Sequence, residues 1–191
     1  MIVASRSRFS RGIFVCMLSS LIAYGNALGK ESEERMVDNV LYAKLVAANC
    51  RWFDFGGCVF TERNMYGKDK RDGLSKEGSG RVAVYKMTDL TFVYTLECNY
   101  NTGRVVNRLQ PPHIPKGVDK ASLSPPPPSQ RVVSPKYTPE SWKAVGRALA
   151  IAALDVLAVN PCSRLGPPKD NGLLRLRSTV LAWVRTHVKK E

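Results

Sequence analysis

The chain has 191 residues, a formal charge of +13, and 44% apolar against 24% charged residues. A chain of this length suits one domain with a real core, or one domain plus an appendage. With only two histidines, His113 and His187, far apart in sequence, a two-histidine metal motif is excluded.

Residues 1–27 read as an export signal. Arg6, Arg8 and Arg11 precede an apolar run from Ile13 to Tyr24, and Gly25-Asn26-Ala27 supplies small residues before a cut at Leu28. A cut after Gly29 is the close alternative. The apolar run falls short of the ~20 residues that a spanning helix needs, so the mature chain is expected to hold no transmembrane helix. Removing the three arginines leaves +10 on the mature protein. In an oxidising compartment the even set Cys50, Cys58, Cys98 and Cys162 points to two disulfides, with Cys58–Cys98 and Cys50–Cys162 as the working arrangement.

Residues 31–49 read as a helix: Glu31, Glu33 and Glu34 suit the positive end of its dipole, and Val37, Leu41, Leu45 and Ala48 recur at helical spacing. Strands are expected at 58–61, 81–87, 91–100 and 104–109, with an exposed loop over 63–80. In the third of these, Phe92, Tyr94, Leu96, Cys98 and Tyr100 alternate onto one face. Nine of the 12 prolines fall in 111–139, which reads as an extended connector. Thr138-Pro139-Glu140 opens a nearly all-apolar helix over 139–160, and 173–189 forms the last helix.

The expected fold is therefore α+β: a small antiparallel β-meander packed with about three helices, two disulfides and a proline-rich excursion. Residues 28–110 hold the first helix and the meander, 111–138 the linker, and 139–191 a helical pair packing back on 28–110 as one domain.

Chemistry is sparse. Ser75 lacks the closing glycine of a nucleophile elbow, and Asp69, Asp72 and Glu77 do not have calcium-loop spacing. Asp54, Glu62, Asp89, Glu97 and Asp155 are the acids at structured positions, and nothing selects a pair. Glu97 reads as a solvated strand residue and Asp155 as an acid satisfied at a helix edge. No catalytic residue, cofactor or metal ligand is assigned. Arg175, Arg177, Arg185, Lys189 and Lys190 give the last helix a basic side suited to an anionic surface.

These readings converge on an exported, periplasmic or secreted, non-enzymatic binding or accessory protein. Its expected partner is an anionic envelope component or a protein; nucleic acid is disfavoured. A small secreted carboxylate-dependent hydrolase and a secreted effector are the alternatives.

Overall fold

The structure is a computed structural model of the full chain. It describes residues 2–3, 21–28, 33–68, 73, 75–98, 105–117 and 136–188. Three strands, β1 (Ile2–Val3), β2 (Ile22–Tyr24) and β3 (Tyr94–Glu97), form a mixed sheet in the order β1-β3-β2. The pairing of β1 with β3 is parallel and that of β2 with β3 antiparallel, with Ile22 opposite Glu97 and Tyr24 opposite Thr95. The far edge of β2 bonds to the segment 53–59: Asp54 N donates to Leu21 O, Val59 N to Ala23 O, and Gly25 N to Val59 O.

Five α-helices surround the sheet among the described residues: α1 (Glu33–Asn49), α2 (Arg63–Tyr66), α3 (Gly80–Thr88), α4 (Pro139–Val156) and α5 (Gly172–His187). α1 is the organising element. Met36, Val37, Val40, Leu41, Leu45 and Val46 are buried, a stripe too wide for one neighbour, and α4 and α5 both pack against it. From α4 come Val145, Ala148 and Ala152, and from α5 Val180 and Val184. Two tyrosines tie these layers together. Tyr42 Oη donates to Leu149 O of α4, and Tyr94 Oη donates to Asn39 O from the sheet side. At the start of α4, the Thr138 amide donates to Ser141 Oγ, and Pro139 opens the first turn.

The fold departs from the expected meander. Residues 81–87 are helical, not a strand. Val82 is fully buried and Tyr85 packs beside it, a three-residue step that belongs to a helix although Val82 and Val84 also alternate. Asp89, at φ 52°, stops the helix, its amide donating to Tyr85 O. The segment 58–61 contributes only a single bridge at Val59, and Val105–Leu109 is irregular. Among the described residues the strand expected over 91–100 is confined to β3, with 99 and 100 outside them, while the loop expected over 63–80 contains α2 and a 3-10 turn at Lys76–Gly78.

No disulfide forms among the described residues. Cys50 and Cys58 are thiols buried in the core, and Cys98 and Cys162 are thiols at half-buried positions. Cys50 and Cys58 serve core packing instead, since a buried thiol behaves as a small apolar side chain. Burial pushes the Cys58 thiol up to about 12, and its Sγ accepts from Ala23 N.

The expected signal-peptide boundary also fails. Leu21, Ile22, Ala23, Ala27 and Leu28 are core residues, and Asn26 has no exposed surface. A cut before Leu28 would sever a core strand from the first helix. The arginines of the expected signal, Arg6, Arg8 and Arg11, lie outside the described residues.

Candidate functional site

The most elaborate polar assembly lies where β2 ends. Gly25 and Asn26 follow the strand into a space bounded by α1, α2 and the start of α3. Gly25 must lack a side chain: a Cβ there would lie 2.4 Å from Phe60 Cδ1. Asn39 of α1, fully buried, donates from Nδ2 to Asn26 O at 2.7 Å.

Into the same space reaches Arg81, the second residue of α3, only 3% exposed. Its Nη1 donates to Gly25 O and to Asn26 Oδ1 at 2.8 Å, and Nη2 donates to Asn64 O at 3.1 Å. Every one of these acceptors is neutral, and no described carboxylate forms an ion pair with the guanidinium. Its Nε has no hydrogen-bond partner among the described residues. Burial depresses Arg81 to about 10, with only the nearby Tyr24 pulling the other way. A cation withdrawn from water normally comes with a counter-charge, because desolvation costs several kcal/mol on the order of that for any buried ion. Here the protein's own described residues supply none.

The acids noted in the sequence separate into engaged and open groups. Asp54 is buried and accepts from Gly56 N at 3.0 Å. Asp89 pairs with Arg35 at 2.9 Å. Asp155, 3% exposed, is held by Asn49 and Asn160, each at 2.7 Å. These three stabilise turns and helix ends. Glu62 precedes α2 without a side-chain cap bond. Glu97 ends β3 with its side chain exposed, opposite Ile22 of β2. Since Ile22 and Gly25 are three residues apart, about 10 Å of strand separates Glu97's partner from the carbonyl that Arg81 holds.

The basic side of α5 has a different arrangement. Arg177 pairs with Asp38, and with Glu34 at 3.5 Å, while Arg185 grips Glu33 through bonds of 2.9 and 3.1 Å. Arg175 is exposed, and Lys189 and Lys190 lie outside the described residues. A cavity of about 280 Å³ opens between the ends of α4 and α5, beside Asp155, Asn160, Leu165 and Leu173. No group of three or more His, Cys, Asp or Glu side chains converges among the described residues. No helix among them is long and apolar enough to cross a membrane.

Arg81 and Asn26 were not singled out by sequence reasoning. Asn26 was read as part of a cleavage site and Arg81 as the opening of a strand. The available signal was Gly78-Ser79-Gly80-Arg81, a flexible stretch in front of an apolar segment, which suits a helix start whose first residues approach another backbone closely.

No family model matches the chain. Curated relatives do. The chain is 53% identical over 162 residues to cytosolic carboxypeptidase-like protein 5 of Danio rerio, covering 85% of this chain and 17% of that protein. It is 49% identical over 167 residues to the Rattus norvegicus protein of the same name, covering 87% of the chain and 18% of the relative. The Homo sapiens counterpart is 48% identical over 167 residues, covering 87% and 17%. The chain thus spans about a sixth of the length of the curated relatives it matches. Eukaryotic relatives named as cytosolic, at about half identity, overturn the reading of an exported, periplasmic or secreted accessory protein, and with it both secreted alternatives.

Proposed function

We propose that this chain forms part of a cytosolic carboxypeptidase-like polypeptide, and that Arg81 receives a carboxylate of its peptide substrate. The observation that carries the reading is a buried guanidinium met only by neutral acceptors. A carboxylate is the planar anion that such a fork matches best, and the described residues bring none to the site. The names of the relatives supply the reaction class, removal of a residue from the carboxyl end of a peptide.

Within this reading Glu97 is the carboxylate suited to proton transfer. It takes a proton from water as the oxygen adds to the scissile carbonyl carbon, and returns it to the departing amine nitrogen as the carbon–nitrogen bond breaks.

The test grafts this chain into the zebrafish relative in place of the matching segment and follows release of the last residue from synthetic peptides. Arg81→Gln should raise KM about 10–100-fold with a smaller change in kcat, and Glu97→Gln should lower kcat by at least about 100-fold at little change in KM. An Arg81→Gln graft with an unchanged KM would remove the proposed carboxylate site. Fractionation of cells expressing the tagged protein checks the cytosolic assignment.

A further inference from the structure

Helix α4 is apolar nearly all the way round, yet only one of its faces is covered. Ser141, Val145, Ala148, Ala152 and Asp155 are buried against the body of the protein. On the opposite face Lys143, Gly146, Arg147, Ala150, Leu154 and Leu157 are all exposed, with Leu154 at 45% and Leu157, at the end of the helix, at 68%. Beyond Arg147 this outer face presents only apolar side chains. A helix without a polar face is normally buried on all sides. The relief of the face matters as much as its composition. Gly146 is a hollow, for a Cβ built there would meet nothing within 4 Å, and the two exposed leucines stand about two and three turns further along.

We infer that this face is an interface between two copies of the chain, with α4 packed antiparallel against α4 of the second copy about a two-fold axis at Ala150. Such an axis brings residues equally far on either side of Ala150 to the same height, so Leu154 of one copy comes level with Gly146 of the other. Leu154 enters the hole formed by Lys143, Gly146, Arg147 and Ala150, spaced i, i+3, i+4 and i+7 as knobs-into-holes packing requires. Leu157 enters the next hole, formed by Pro139, Trp142, Lys143 and Gly146. Each copy gives two leucines and receives two, which is the self-complementarity of an isologous contact. Parallel packing would instead set hollow against hollow and leucine against leucine. Charge favours the same direction. Antiparallel helices place Lys143 and Arg147 of each copy beside the C-terminal end of the other helix, where the dipole is negative, whereas parallel helices would bring the four cations together. A single helix pair lies at the small end of stable interfaces, which bury ~1,200–2,000 Å², so a micromolar Kd is expected. Nothing in this inference depends on the role proposed for Arg81.

Sedimentation equilibrium of the full 191-residue chain, over about 1–200 µM, should show a reversible monomer–dimer equilibrium. Gly146→Leu fills the hollow without a clash inside the monomer. It should weaken dimerisation at least about 30-fold, as at the centre of an interface, while the thermal midpoint of the monomer holds or rises. Leu157→Lys, at an exposed position, should weaken it as well. A chain that stays monomeric across the whole range overturns the inference, and so does a dimer that keeps its affinity in either variant. Should Gly146→Leu fail to fold, Leu157→Lys decides by the same outcomes.

Discussion

Two sets of arginines divide the molecule. On α5, Arg177 and Arg185 face Glu33, Glu34 and Asp38 of α1, and their charges are matched side chain to side chain at a solvent-washed seam. At the end of β2, Arg81 is almost wholly buried and bonds only to two backbone carbonyls and an amide oxygen. The first arrangement is complete as it stands, and its basic residues are poorly placed to gather anions while they hold those acids. The second is bonded at both Nη atoms but matched by no charge among the described residues. Positive charge on a sequence therefore says little about anion binding until its partners are known, and the less conspicuous arginine is the better candidate.

Three measurements would break or sharpen this contrast. Removing the buried group should have the largest effect. Arg81→Ala leaves Gly25 O, Asn26 Oδ1 and Asn64 O without their donor, and a loss of about 2–4 kcal/mol in urea unfolding is expected. The contrast breaks if that variant is no less stable than Arg185→Ala. Next comes Cys58, a buried ionisable group that remains neutral. Its folded-state thiol, at about 12, lies above the unfolded value of about 8.5, so its contribution is fully present below that pH and declines as the unfolded thiol ionises. We expect about 1–2 kcal/mol of this contribution to be lost between pH 8.5 and pH 10, and Cys58→Ala to flatten that part of the pH–stability curve. The smallest effect belongs to the exposed seam. Glu33→Gln should cost about 0.5 kcal/mol or less, and the difference should vanish in about 1 M salt, as expected of a surface pair.

The helices were the most legible part of the chain. α1, α4 and α5 announce themselves by apolar residues at three- and four-residue steps, and Thr138-Pro139 marks the start of α4 by local chemistry alone. The export reading failed for a physical reason. A basic stretch followed by an apolar run is what a signal peptide requires, and Leu21-Ile22-Ala23 satisfies that pattern because a core strand has the same composition. Gly25, which looked like a small residue for a peptidase, is small because Phe60 lies against it. The disulfide expectation followed from the compartment and fell with it. The site was hidden for another reason. Arg81 meets Gly25 and Asn26 across more than fifty residues of sequence, and no local pattern encodes such a meeting. Nothing in the periodicity of 81–87 favoured the helix over the strand strongly enough to show that its second residue would turn inward.

Asn39 gives α1 a role beyond supplying apolar surface. It is fully buried in the middle of that helix, its Nδ2 donates to Asn26 O, and its Oδ1 has no hydrogen-bond partner among the described residues. Leucine would fill the position with less loss of polar solvation. The amide instead works as an index mark: a slip of α1 by one turn, which would keep much of its apolar stripe in the core, would carry the donor about 5.4 Å from its carbonyl. The helix is thus set at one depth along the sheet, and the backbone that Arg81 grips is fixed from its other side by the same residue.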